Sequence, residues 1–268
     1  MQLMSLSDSE FQRIRSFLYR EAGISLSPAK KALVSGRLTK RLRHHGLDNF
    51  GEYFKLVESG SSPAETRLAI DLLTTNETYF FREPKHFQFL RQRILPALPT
   101  GRSCRIWSAA CSSGEEPYSI AMLLTEQLPG RSWELLASDI SKRILARART
   151  GHYPDERGRN IPPDFFARHC LKGIGRQEGT FLVERELRAR VQFAEINLNQ
   201  TLPEVGTFDV IFLRNVMIYF DADTKRQVVN RLLTKLRPAG YLFIGHSESL
   251  HGLELDLKAV QPAVYQKG

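Results

Sequence analysis

The sequence predicts an α/β protein: a doubly wound, mostly parallel sheet preceded by a helical module and interrupted by a small antiparallel excursion. Three observations carry this. From about Cys104 onward, short apolar runs alternate with amphipathic stretches, in the order CRIWSAA, PYSIAMLLTEQL, WELLASDI, SKRILARART, VQFAEINL, FDVIFLRN, TKRQVVNRLLTKLRP and YLFIGHSES. Strands alternating with helices give a parallel sheet covered on both faces. The first seventy-odd residues show helical periodicity and little strand signal. Between Tyr153 and Val191 the alternation gives way to proline, glycine and basic residues, followed by TFLVERELRARVQF.

The elements follow in order. Ser7 and Glu10 have the spacing of a capping box before FQRIRSFLYREAG, where Phe11, Ile14, Phe17 and Leu18 share a face and Gly23 ends the run. Ser27-Pro28 opens a second helix, with serine at the cap and proline at the first helical position, running to Gly46. A third, from Asn49 to Val57, sets Phe50, Tyr53, Phe54 and Val57 at helical spacing. Ser61-Ser62-Pro63 opens a fourth, AETRLAIDLLTTN. The excursion from Tyr153 reads as helical turns and then a small antiparallel unit that ends where VQF begins the next core strand. The last stretch, DLKAVQPAVYQK, has no helical pattern before it, so the chain returns as a hairpin and its final strand is antiparallel.

A chain of 268 residues accommodates one large domain, or a large one plus a small one. No apolar run approaches the ~20 residues that cross a bilayer, and MQLMSLSDSEFQ is too polar for a signal peptide. Cys104, Cys111 and Cys170 are scattered without metal-ligand or disulfide spacing, as in a cytoplasmic protein with reduced thiols. The net charge of +9 favours an acidic partner, whether nucleic acid, membrane surface or protein.

The chemistry gathers at predicted strand ends. After the opening strand comes Ser108-Ala-Ala-Cys-Ser-Ser-Gly114-Glu115-Glu116-Pro117, whose small residues let backbone approach a ligand closely at the start of a helix. A plain tight turn would have the same composition, and the pattern is not the G-x-G-x-x-G of dinucleotide enzymes. Asp139 closes the second strand, where an acid accepts hydrogen bonds from ribose hydroxyls or else caps the helix ISKRILARA. Asn197-Leu198 and Arg214-Asn215 close the next two strand signals. Each is ordinary alone; four such ends in register point to a ligand rim.

At these residues the sequence resembles the chemotaxis receptor methyltransferase family, CheR, over essentially its whole length. The matching strings are TTNETYFFRE (74–83), SAACSSGEEPYSIAML (108–123), ASDIS (137–141), INL (196–198), FDVIFLRNVMIYFD (208–221) and IGHSESL (244–250). The resemblance implies a Rossmann-like class I methyltransferase sheet with an N-terminal helical domain and a small antiparallel β-subdomain. It implies a helical docking domain over 1–73, a linker carrying cofactor-site residues over 74–103, and a methyltransferase domain over 104–268, with the β-subdomain inserted at about 153–190. The implied cofactor is S-adenosyl-L-methionine, leaving as S-adenosyl-L-homocysteine. Its implied contacts are Asn76, Thr78, Arg82, Glu115, Asp139, Asn197, Leu198, Arg214 and Asn215, with Glu116 as the alternative to Glu115. Arg82 and Tyr219 match the pair that positions the reacting groups, and no metal is implied.

The implied reaction, esterification of receptor glutamates, needs few catalytic groups. A glutamate with an ordinary pKa near ~4.3 is already an anionic nucleophile at neutral pH. Alignment is what the protein must supply, and positioning is worth up to ~7–11 kcal/mol in favourable cases. Arg82 suits a carboxylate, of the substrate or of the cofactor; otherwise it pairs with Glu83, Glu115 or Glu116. Between Glu21 and Asp48 there is no acid, and on a helix Arg37, Lys40, Arg41 and Arg43 make a basic stripe, which spacing alone reads equally as a solvated face or a docking surface. The resemblance reads it as a dock for acidic methylation helices of receptors. Lys172-Gly173-Ile174-Gly175 lies in the excursion, where some family members add a receptor tail peptide to a sheet edge. Arg188 and Arg190 would then meet the peptide or guard the edge. The expectation is a cytoplasmic monomer that neither binds nucleic acid nor inserts in membranes. A nucleic-acid methyltransferase, a non-catalytic cofactor-binding regulator and a nicotinamide-dependent oxidoreductase are the rivals.

Overall fold

The computed structural model describes residues 5–74 and 77–268 and divides into two compact units. The described part of the first is residues 5–74 with Tyr219–Lys225, and of the second residues 77–218 with Arg226–Gly268.

The first unit is helical. Helix α1 (Asp8–Ala22) starts in the capping box: the Glu10 N–H donates to Ser7 Oγ at 3.2 Å, and the Ser7 N–H donates to Glu10 Oε2 at 2.9 Å. It ends at Gly23, whose φ of 71° only glycine adopts without cost. The second helix differs from expectation at its start. Ser27 makes no side-chain cap, and Pro28–Lys30 close a 3₁₀ turn, with Lys30 N–H on Ser27 O at 3.0 Å, before α2 proper (Lys31–His44) begins. Helices α3 (Phe50–Glu58) and α4 (Pro63–Leu73) follow the predicted signals, with the Asn49 side chain capping α3. Phe11, Ile14, Phe17 and Leu18 are buried with Val34, Leu38, Leu42, Phe50, Phe54 and Ile70. One stripe of each helix therefore faces a shared core.

The second unit holds α5 (Pro84–Phe89), running into a π-helical turn (Leu90–Ile94), and then the sheet. Its strands and crossovers are β1 (Cys104–Ala109), α6 (Glu115–Gln127), β2 (Trp133–Asp139), α7 (Lys142–Thr150), and, past the excursion, β6 (Val191–Glu195), β7 (Phe208–Leu213), α10 (Ala222–Lys235, of which the part from Arg226 belongs to this unit) and β8 (Leu236–Ile244). The excursion comprises β3 (His152–Pro154), α8 (Pro163–His169), β4 (Cys170–Lys172), β5 (Thr180–Val183) and α9 (Arg185–Ala189). The chain closes with β9 (Leu257–Gln261) and β10 (Val264–Lys267).

The large sheet runs β6-β2-β1-β7-β8-β10-β9, and β6 through β8 pair in parallel. The antiparallel ending is two strands, with the later one, β10, beside β8. Strand order reverses between β1 and β7, the switch point at which open α/β sheets bind ligands. All six residues of β7 are buried, so a continuous apolar run encodes it. The exception, Asp209, is compensated: Arg102 and Arg237 reach its two oxygens at 2.5 and 2.6 Å, and Arg105 N–H donates at 2.9 Å. A buried acid survives in a strand only with partners of this kind.

The small sheet has the order β3-β5-β4 and is antiparallel. The alternation read through TFLVERELRARVQF stops at Val183, and residues Arg185–Ala189 form a short helix. There Arg188 N–H reaches the Glu184 carbonyl at 3.0 Å, and Leu187 turns inward. Arg188 and Arg190 are therefore not edge-strand residues. Arg188 donates to the Val183 and Thr150 carbonyls, and Arg190 stacks 3.5 Å from the Trp133 ring centre. Among the described residues, no helix is long and apolar enough to cross a membrane.

Candidate active site

The turn after β1 is strained. Ala110 and Ser112 have φ of 63° and 50°, and Gly114, the cap of α6, has φ of 97°. Left-handed non-glycine residues each cost on the order of 1 kcal/mol and persist where surroundings dictate them. Position 114 accepts only glycine: a Cβ there would lie 2.9 Å from the Tyr153 hydroxyl and 3.0 Å from Ala148 Cβ. Pro117 falls within the first turn of α6, where a missing N–H breaks no helical bond. Asp139 holds this turn in place. Its Oδ2 accepts the Ser112 N–H at 2.9 Å and its Oδ1 the Ser141 N–H at 3.0 Å. The cap of α7 is Ser141, whose Oγ accepts the Ile144 N–H at 3.1 Å, so Asp139 is not the helix cap.

Glu115 and Glu116 point different ways from the start of α6. Glu115 is 1% exposed and accepts from Ser113 Oγ at 2.6 Å and Arg157 Nη1 at 3.1 Å. Arg157 also donates to the Thr78 carbonyl at 2.6 Å, so a residue of the excursion joins two predicted cofactor contacts. Burial pushes the Glu115 carboxyl above the usual range, against the pull of Ser113 and Arg157. Nothing in the sequence distinguished Arg157 from its basic neighbours.

Glu116 belongs to a second cluster. Ser108 Oγ donates to it at 2.6 Å and Arg214 Nη1 lies 3.3 Å away. The Arg214 side chain, 1% exposed, also meets Glu83 Oε2 at 3.2 Å and donates from Nη2 to the Arg82 carbonyl. Glu83 accepts from Asn215 Nδ2 at 3.3 Å and from the His246 N–H at 3.1 Å. Burial raises the Glu83 carboxyl, but Arg214, His246 N–H and Asn215 outweigh it and hold the group below its ordinary value. His86, fully buried, is kept neutral by burial first and by Arg214 second. Glu83, His86 and His246 bring ligand-type atoms within 4.8 Å of one another. Arg214 Nη2 lies 3.2 Å from Glu83 Oε2 in the same cluster.

Arg82 is half-buried between two left-handed residues, Phe81 (φ 51°) and Glu83 (φ 61°). Ser119 Oγ anchors the Phe81 N–H at 2.9 Å. The Arg82 guanidinium donates to the Glu77 carbonyl at 2.9 Å and lies 5.6 Å from the Tyr79 ring centre. Among the described residues it forms no ion pair with Glu83, Glu115 or Glu116. Asn197 follows β6 and accepts the Asn199 N–H at 2.9 Å; Leu198 is buried, its carbonyl receiving Arg231 Nη1 at 3.2 Å. Asn215 follows β7 with φ of 58°. Asn76 lies outside the described residues. Tyr219 groups with the helical unit, where its carbonyl accepts the Ser25 N–H at 2.8 Å.

The basic stripe is not uniform. Arg37 donates to the Leu72 and Thr74 carbonyls at 3.1 and 2.9 Å, and Arg41 forks onto Glu65 at 2.9 and 2.6 Å. Lys40 and Arg43 are exposed.

A parallel sheet with a strained small-residue turn at its switch point and an acid closing β2 defines a nucleotide-type ligand domain. Comparison narrows the class to S-adenosylmethionine-dependent methyltransferases. Residues 76–265 match the family described as "CheR methyltransferase, SAM binding domain", and residues 9–74 match "CheR methyltransferase, all-alpha domain". The chain belongs to the CheR methyltransferase family. It is 45% identical over 257 residues to the chemotaxis protein methyltransferase of Escherichia coli (strain K12), covering 94% of this chain and 88% of that relative. Identity to the Salmonella typhimurium protein of the same description is 42% over 268 residues, covering 98% and 92%. For that of Borreliella burgdorferi it is 39% over 275 residues, covering 98% and 96%.

Proposed function

We propose that the chain esterifies glutamate side chains of chemotaxis receptors, as a protein-glutamate O-methyltransferase acting as a monomer in the cytoplasm. The observation that carries this reading is Arg82. Its backbone is fixed by Arg214 and by the Phe81 anchor, while its guanidinium donates to the Glu77 carbonyl and forms no close ion pair with a carboxylate among the described residues. A guanidinium so held suits an incoming carboxylate.

S-adenosyl-L-methionine, when bound, supplies the electrophilic methyl. The turn after β1 fits such a ligand, because the buried carboxylates of Glu115 and Asp139 stand at either side of a backbone of small residues. Asn76, Thr78, Glu115, Asp139, Asn197, Leu198, Arg214 and Asn215 hold the cofactor, the acids suiting hydroxyls and an amino group. Arg82 contributes to cofactor and substrate alike, and Tyr219 orients the incoming carboxylate. No general base is needed, since a glutamate of ordinary pKa near ~4.3 arrives ionised. Residues 1–73 dock the receptor through Lys40 and Arg43 with Arg37 and Arg41 behind them, 74–103 link, and 104–268 carry the chemistry. A receptor tail peptide adds to the free edge of β4, beside a groove lined by Leu171, Lys172, Ile174 and Phe181.

The test is transfer of labelled methyl from S-adenosylmethionine to receptor-bearing membranes, followed by alkali. Base-labile, volatile label on the receptor is expected. Arg82→Ala should lower the rate by about a hundred-fold or more, as for loss of a positioning group, and Tyr219→Phe by less. Receptors with and without their C-terminal tails test the tether. Cofactor binding without receptor labelling would mean a regulator, and label on RNA would mean a nucleic-acid enzyme.

A further inference from the structure

Glu248 lies in the turn after β8 and was not among the residues expected at the site. Its carboxylate gathers three backbone N–H groups: Gly245 at 2.6 Å and Asn215 at 2.9 Å on Oε2, and Ile218 at 3.2 Å on Oε1. The turns following β7 and β8 are thereby tied to one anion. Asn215 sits in the left-handed region, φ 58°, which asparagine tolerates better than most residues but does not prefer. Its side chain is fixed separately. Glu83 Oε1 lies 3.3 Å from Nδ2, and an ionised carboxylate only accepts, so the amide must turn its NH₂ toward Glu83 and its carbonyl away. Two carboxylates from distant segments thus hold Asn215, one by main chain and one by side chain. Gly245 closes the arrangement: a Cβ there would meet Asn215 Nδ2 at 2.4 Å and Glu248 Oε2 at 2.9 Å.

We infer that Glu248 is a positioning residue for cofactor binding, acting through Asn215 by holding that residue's strained backbone at the end of β7. The inference rests on the reading of Asn215 as a cofactor contact. Glu248 itself touches backbone N–H groups and acts only through what it holds.

The test is calorimetric titration of S-adenosylmethionine into the full-length wild type, Asn215→Ala, Glu248→Gln and the double variant. Glutamine keeps the size of the side chain but replaces one acceptor oxygen with a donor that faces an N–H. Each single change is expected to raise Kd by about ten-fold, the scale of one lost charge-assisted hydrogen bond. The double variant should be no weaker than the worse single, because the two act as one unit. In methyl transfer, the Glu248→Gln loss should fall more on KM for the cofactor than on kcat. Gly245→Ala presses the same clamp from the other side and should weaken binding likewise, which covers a Glu248→Gln protein that fails to fold. Unaltered affinity in Glu248→Gln, or penalties that multiply in the double variant, would overturn the inference while leaving Asn215 a contact. Unaltered affinity in Asn215→Ala would remove both.

Discussion

Two arginines, one in each unit, meet buried carboxylates in opposite states of completeness. In the helical unit, Arg41 forks onto both oxygens of Glu65 at 2.9 and 2.6 Å, and Tyr53 Oη and His45 Nε2 complete the shell at 2.7 and 3.0 Å. In the α/β unit, Arg214 stands 3.2 and 3.3 Å from Glu83 and Glu116. There Arg214 Nε and Nη1, Glu83 Oε2 and both His86 nitrogens find no well-aligned hydrogen bond among the described residues. The consequences for the acids diverge. Burial would raise Glu65, but its bonds from Arg41, Tyr53 and His45 prevail and bring it to about 2. In the Arg214 cluster the two acids part: Glu83 is held low, whereas for Glu116 burial prevails over Arg214 and Ser108 and the carboxyl rises. The Glu65 shell is complete, whereas the Arg214 cluster leaves several buried polar atoms without a well-aligned bond, which is uncommon for buried groups.

The largest effect that would sharpen this contrast is expected from Arg214→Met. It leaves Glu83 and Glu116 buried without a counter-charge, and breaking such a pair costs about 3–5 kcal/mol. Urea unfolding of the α/β unit should show that loss, with methyl transfer abolished. A variant as stable as wild type would mean that Arg214 does not balance these acids. Next comes Glu65→Gln, expected to cost on the order of 1.5–3 kcal/mol at pH 7, the scale of hydrogen bonds to a charged group, since Arg41, Tyr53 and His45 lose their ionised partner. The pH sign is fixed by the depressed value: the Glu65 contribution is complete above the ordinary 4.5 and is lost as pH falls through about 2. The stability gap between wild type and Glu65→Gln should therefore narrow from pH 5 to pH 2. A gap constant over that range would break the account of Glu65.

These networks also show what was legible in the sequence. The capping box, the helix faces, the alternation after Cys104 and the acid closing β2 are local signals, readable from spacing of a few residues. The family strings then pointed to Arg82, Asp139 and Arg214. Local patterns could not reveal that Arg214 reaches residues 82 and 83, more than 130 positions away, or that Arg157 joins Thr78 to Glu115. Glu83 and Glu248 lay inside matching strings but offered no periodicity to announce a role; each acts through main-chain and amide groups that only the folded turns bring near. The short helix α9 was hidden because RELRA satisfies both periods over so few residues, and only tertiary burial of Leu187 decides between them.

The smallest expected effect separates cations that build the helical unit from those left for a partner. Arg37 and Arg41 spend their donors on carbonyls and on Glu65, whereas Lys40 and Arg43 are exposed on the same helix. Lys40→Glu with Arg43→Glu should leave stability within about 0.5 kcal/mol, as usual for surface changes. Arg41→Ala should destabilise the unit, because Glu65 would lose its main counter-charge. If the stripe docks acidic receptor helices, the double reversal should raise KM for receptor membranes several-fold at low salt. The difference should shrink as salt is raised, because screening shortens from about 10 Å at 0.1 M to about 3 Å at 1 M. An unchanged KM at low salt would place receptor docking elsewhere and leave the helical unit's exposed charge with no part in it.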